Sequence, residues 1–154
     1  VPMTPELAKL YQEVILAHHR APHHFGPLAT ATHRARLTNP LCGDEVIIAA
    51  QVDGTVVTAC HFEGHGCALC RASASLLTDA VTGRSRDQIE RSCEQLLAFL
   101  QTPQSADAES QSAEELGDLR ALSGVRDYPS RRRCATLPWE ALRSALAVDP
   151  NVPT

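Results

Sequence analysis

Residues 45–62 read EVIIAAQVDGTVVTACHF, and the architecture follows from how this stretch folds. Glu45–Val52 is rich in β-branched residues, and Thr55–Phe62 alternates apolar with polar, the period of a half-buried strand. Asp53-Gly54 between them is a strong tight-hairpin signal, because glycine accepts the positive φ that such turns need. Upstream, His33–Thr38 alternates more weakly and adds a third strand, giving a small antiparallel meander.

Helical periods flank the meander on both sides. Thr4-Pro5-Glu6 is a helix start, with a capping hydroxyl and a proline pre-set for the first helical position. Leu7, Leu10, Tyr11, Val14, Ile15 and His18 then recur at helical spacing until Ala21-Pro22 ends the run. After Gly64-His65-Gly66, Cys67–Val81 forms a second helix, stopped at Gly83. Ser85–Gln101 forms a third, with Ile89, Cys93, Leu96, Leu97 and Leu100 on one face. Residues 102–115 are polar and read as a mobile insertion. Leu116–Val125 reads as a short helix or turn, and Leu137–Val148 as the C-terminal helix. The expected class is α+β: one domain, residues 1–154, with a three-stranded antiparallel β-sheet and α-helices packed on one face and at the ends.

The bulk composition narrows the function. The chain has 154 residues, 44% of them apolar, enough for a real core. Its net charge of −4 provides no basic field for nucleic acid. No apolar run reaches the ~20 residues that span a bilayer, and no secretory signal is visible, so a cytoplasmic protein is expected. In that setting the six cysteines (42, 60, 67, 70, 93 and 134) point to metal or thiol chemistry before a disulfide framework. Cys60, on a strand, and Cys93, on an apolar helix face, are read as core residues.

Three motifs carry the remaining signal. Asn39-Pro40-Leu41-Cys42-Gly43-Asp44 puts a thiol and a carboxylate two residues apart beside a strand. Together they could bind one cation, and a plain turn with a buried cysteine and a solvated aspartate explains them equally well. Gly64-His65-Gly66-Cys67 places a cysteine at a helix N-terminus, where free amides and the helix dipole favour thiolate. Arg131-Arg132-Arg133-Cys134 sets cations beside a third cysteine, although such a run is also an ordinary solvated face. Three thiolates and one carboxylate suit tetrahedral zinc or a labile iron–sulfur cluster. Spacing over such long loops permits their convergence without requiring it.

These motifs, N-P-x-C-G-D, then G-x-G-C with its A-S-A-S helix, then C-A-T-L-x-W, resemble the U-type iron–sulfur scaffold family of IscU, the NifU N-terminal domain and SufU. The resemblance runs from about Glu6 to Ala147 and takes in Leu10-Tyr11 and the stretch from His18 through Pro22 to Gly26. Arg133 stands where IscU proteins carry a histidine, and Asp127-Tyr128-Pro129-Ser130 stands where they carry the LPPVK chaperone-recognition segment. Arg131, Cys134, Ala135, Thr136, Leu137 and Trp139 follow the SufU pattern, as do the extra residues before Leu116. The SufU branch implies a SufE/NifU-like fold and one zinc per chain, held by Cys42, Asp44, Cys67 and Cys134. It also implies that the chain accepts sulfur from the persulfide of a SufS-type cysteine desulfurase. In that scheme Cys42 is the acceptor, Cys134 the alternative acceptor, and Arg131 steers or docks the partner. The sulfur would pass to a downstream SUF scaffold or to apo iron–sulfur proteins.

Two rivals remain. An IscU-like scaffold would use the same residues to assemble and transfer a [2Fe–2S] cluster, with iron in place of zinc. A dithiol redox protein would use Cys67 and Cys70, whose C-x-x-C spacing begins a helix; the hairpin meander upstream is not the βαβ unit such motifs accompany. His65 is either an extra donor or decoration of a glycine turn. His18, His19, His23 and His24 crowd the end of the first helix, where a metal cluster is conceivable and a helix end with its turn is the plainer account.

Overall fold

The computed structural model describes residues 5–41, 43–101 and 116–147. Helix α1 spans Pro5–Arg20, followed by strands β1 (His33–Asn39), β2 (Asp44–Asp53) and β3 (Val56–His65). Helix α2 spans Ala68–Val81, strand β4 Arg84–Ser85 and helix α3 Arg86–Gln101. A 3₁₀ segment, Gly117–Val125, leads into helix α4, Pro129–Ala147.

The sheet is an antiparallel meander in the order β1-β2-β3-β4. Ile48 faces Phe62 and Ala50 faces Cys60 across the central pair, so one face of β2 and β3 is apolar. The ladder shifts register between Gln51 and Val52, which returns Val57 to the buried side beside Cys60 and Phe62. Gly54 has φ of 63° and is the first of the two loop residues, where a type II′ hairpin wants glycine. Helix α4 lies over β1 and β2, α2 lies over β3, and α1 packs on α2. Trp139, Leu142, Ile48, Leu77 and Leu96 meet in the core with essentially no exposure. No helix among the described residues is long and apolar enough to cross a membrane.

The expected α+β layout is observed, with two differences. The sheet has a fourth strand of only two residues, paired through Val56 and Val57, too short to carry any alternation. The last helix begins at Pro129, eight residues before the expected Leu137. Pro138 resembles a first-turn proline, but Pro129 occupies that place, and the helix carries Pro138 in its interior. Residues 102–115 and the expected cap Thr4 lie outside the described residues.

Two glycines of positive φ separate backbone strain from steric exclusion. Gly83, at 84°, has open space where a Cβ would go. Gly64, at 123°, would drive a Cβ to 2.1 Å from the Glu45 carbonyl oxygen on the neighbouring strand. We expect Gly83→Ala to cost about 1–2 kcal/mol from strain alone. Gly64→Ala is expected to cost at least about 2 kcal/mol more, because backbone cannot move aside cheaply. Urea unfolding midpoints of the two variants test this.

Candidate metal centre

The β1–β2 hairpin supplies the first ligand. Asn39 pairs with Asp44 and closes a loop of residues 40–43. The Asn39 side chain folds over its own turn, its Oδ1 accepting from the Leu41 amide at 3.3 Å. The Asn39 carbonyl accepts from the Gly43 amide at 2.9 Å, and Gly43 takes φ of 71° to complete the bend. Leu41, at the loop tip, is 94% exposed. Cys42 lies outside the described residues. Asp44, by contrast, turns inward and is 1% exposed, so the solvated aspartate considered above is ruled out.

The second ligand comes from the β3–α2 junction. Cys67 is the N-cap of α2 in an extended conformation, and its sulfur accepts from the Cys70 amide at 3.4 Å. Its own amide donates to Asp44 Oδ1 at 2.9 Å. Gly66 makes this approach possible, since a Cβ there would stand 2.7 Å from Asp44 Oδ1. The sequence signalled only that Gly66 lets the chain bend. Its second role, leaving room for a carboxylate 22 positions earlier, had no local sign.

Helix α4 brings the third ligand, Cys134, fully buried in its second turn. The arginine run therefore lies inside the last helix, a correction to its expected place before that helix. Arg132 donates twice to the Arg126 carbonyl, and Arg133 pairs with Glu140 at 2.8 Å. Arg131 is exposed one turn before Cys134, with its side chain uncommitted among the described residues.

Asp44, Cys67 and Cys134 place ligand atoms within 4.8 Å of one another. Among the described residues, Asp44 Oδ2 is buried with no hydrogen-bond partner. A buried, unsatisfied carboxylate oxygen is costly unless a cation or donor meets it. Burial, then the neighbouring Cys67 and Asp44, push the Cys134 thiol well above its ordinary range. A divalent cation held among these groups reverses that balance and favours the Cys134 thiolate. Two sulfurs and a carboxylate oxygen are a donor set that zinc accepts, so these residues fit a metal ion.

The other cysteines separate from this cluster. Burial alone raises the Cys60 thiol to about 12. Cys93 is raised to about 12 by burial and then by Glu90. Cys70 is 3% exposed and serves Cys67 through its backbone amide. His65 is exposed at the end of β3.

Gly66→Ala should displace the Asp44 carboxylate and lower metal affinity about 10–100-fold, as loss of supporting groups around a metal site does. Competition with a chromophoric chelator measures the change, and circular dichroism verifies the fold. At pH 8 in native, chelator-treated protein, iodoacetamide is expected to leave Cys60 and Cys93 unmodified, because thiols near 12 hold almost no thiolate. Peptide mapping before and after unfolding reads that protection.

The NifU-like N terminal domain family matches residues 10–135. The iron–sulfur cluster assembly scaffold protein IscU of Streptococcus pyogenes serotype M1 is 34% identical over 146 residues, covering 95% of this chain and 88% of that protein. The zinc-dependent sulfurtransferase SufU of Bacillus subtilis strain 168 is 36% identical over 141 residues, covering 92% of each. Among solved structures, a protein proposed as the SUF-system cluster assembly scaffold of Fervidobacterium islandicum AW-1 superposes with a TM-score of 0.78 at 26% identity, covering 90% of this chain and 97% of that one. With the family matching most of its length and two relatives above 30% identity over more than nine-tenths of it, the chain belongs to the NifU-like N-terminal domain family.

Proposed function

We propose that this protein serves iron–sulfur cluster assembly in the cytoplasm as a zinc-dependent acceptor and carrier of persulfide sulfur. The observation that carries the reading is the buried Asp44 carboxylate, clustered with the thiols of Cys67 and Cys134, whose Oδ2 has no hydrogen-bond partner among the described residues. The 36% identity to a zinc-dependent sulfurtransferase supports zinc as the ion and sulfur as the cargo. Cys42, two residues before Asp44, completes the proposed ligand set with Cys67 and Cys134. When bound, zinc keeps the cysteine ligands in their thiolate form.

The rest of the work belongs to the chain. Asp44 is held by the Cys67 amide, and Gly66 leaves its carboxylate room. Cys42 adjoins Leu41, whose 94% exposure supports a loop tip that a partner can reach. Its thiolate attacks the outer sulfur of the persulfide on a SufS-type cysteine desulfurase. A sulfur–sulfur bond forms to Cys42, the original one breaks, and the desulfurase cysteine leaves as thiolate. Cys134 is a poorer first acceptor, being fully buried with its thiol pushed up. Arg131 offers an exposed cation at the same end of α4 for steering or docking. A downstream SUF scaffold or an apo iron–sulfur protein receives the sulfur.

One rival has a specific observation behind it. The 34% identity to an IscU scaffold suits the same residues to a transient [2Fe–2S] cluster. The dithiol reading is weakened by Cys70, which is buried in the first turn of α2.

Purified protein is expected to hold about one zinc per chain, lost in Asp44→Ala, as measured by elemental analysis. Desulfurase turnover is expected to rise strongly on adding the protein, and Cys42→Ala removes the stimulation. No stimulation, with transfer of an intact cluster to apo-ferredoxin, would establish the scaffold reading instead.

A further inference from the structure

The histidines at the end of α1 are not used by the cysteine site. His18 is 8% exposed, and its Nδ1 lies 2.6 Å from the hydroxyl of Ser75 on α2. The His23 amide donates to that same hydroxyl at 2.7 Å. The His23 ring then meets Asp79, Nδ1 to Oδ2, at 2.5 Å. Asp79 sits one turn beyond Ser75, so α2 presents a hydroxyl and a carboxylate to one imidazole pair. The His18 and His23 rings stand 4.5 Å apart, and one ligand atom from each of His18, His23 and Asp79 lies within 4.8 Å of the others. His24 Nδ1 is 3.5 Å from the second Asp79 oxygen.

The donors are held before any ion arrives. Phe62 donates its amide to the His24 carbonyl at 3.1 Å, and Gly26 donates to the Phe62 carbonyl at 2.9 Å, pinning this segment to β3. His24 is the one non-glycine among the described residues with positive φ, at 54°, a conformation held by those bonds. The Ser75 contact fixes the His18 ring, as outer hydrogen bonds do for ligating histidines. Two imidazoles and a carboxylate suit zinc, cobalt or nickel, unlike the thiolate-rich cysteine cluster. From Cys67 to Asp79 is twelve residues along α2, roughly 18 Å at 1.5 Å per residue, too far for one ion to serve both.

We propose that His18, His23 and Asp79 form a second binding site for a divalent first-row transition ion. The ion takes the place of the hydrogen bond between His23 and Asp79 and staples the end of α1 to α2. Because the unfolded chain lacks the assembled donors, the ion stabilises the fold by mass action. This site stands independently of the sulfur-carrier reading.

Cobalt distinguishes the two centres. The untagged full chain is first given one equivalent of zinc and then titrated with cobalt(II). One further equivalent is expected, with visible ligand-field absorption, no thiolate-to-cobalt charge-transfer band, and a rise in melting temperature. His23→Gln and Asp79→Asn, both at partly exposed positions, should fold, retain zinc and lose the cobalt equivalent and its thermal shift. The proposal is overturned if no second equivalent binds. It is overturned equally if cobalt enters only with a thiolate band, or if both variants bind it as the parent does.

Discussion

The amide of Cys67 donates to Asp44 Oδ1 at 2.9 Å, and that one bond joins the start of β2 to the start of α2. It satisfies an amide at a helix N-terminus, where intrahelical acceptors are missing, and it turns a carboxylate into the interior. The remaining oxygen has no hydrogen-bond partner among the described residues. Several neighbouring features serve this contact. Asn39 and Gly43 shape the hairpin that delivers Asp44, and Gly64 allows β3 to pass against Glu45. Gly66 leaves the volume that the carboxylate fills.

Helix α4 makes the arrangement a three-sided pocket. It packs across β1 and β2, with Trp139 and Leu142 in the core, and this packing fixes the height at which Cys134 enters. The core and the site are thus built by the same helix. Arg131 stands one turn away at the exposed end, so a fully buried sulfur and a solvent-facing cation lie on adjacent turns. Helix α2 has a comparable double use. Its N-cap is Cys67, and Ser75 and Asp79 further along meet His18 in the last turn of α1 and His23 just beyond it.

Much of this was legible locally. Asp53-Gly54 announces its hairpin because a tight turn depends on the residues within it. The helical period of Leu7 through His18 likewise predicts an amphipathic helix that packs on a neighbour. Other features failed to show for equally physical reasons. Arg84–Ser85 is too short for any pattern. Pro138 is a helix-start signal in sequence, yet the interior of α4 tolerates it because burial of Leu137, Trp139 and Leu142 holds the helix around it. His18 and His23 read as a helix end, because Asp79, more than fifty positions later, has no sequence signature linking it to them.

By itself, the sequence determined the element types, the hairpin, and the three cysteine motifs whose resemblance named the family. Those properties depend on neighbours within a few residues, which periodicity and turn chemistry report. Only the tertiary structure decided that Asp44 is buried, that Gly66 is the space it occupies, and that Cys134 reaches it from inside a helix. Each of these is a contact between segments brought together by sheet pairing and core packing. The cost of an unsatisfied buried carboxylate becomes visible only once those segments have met.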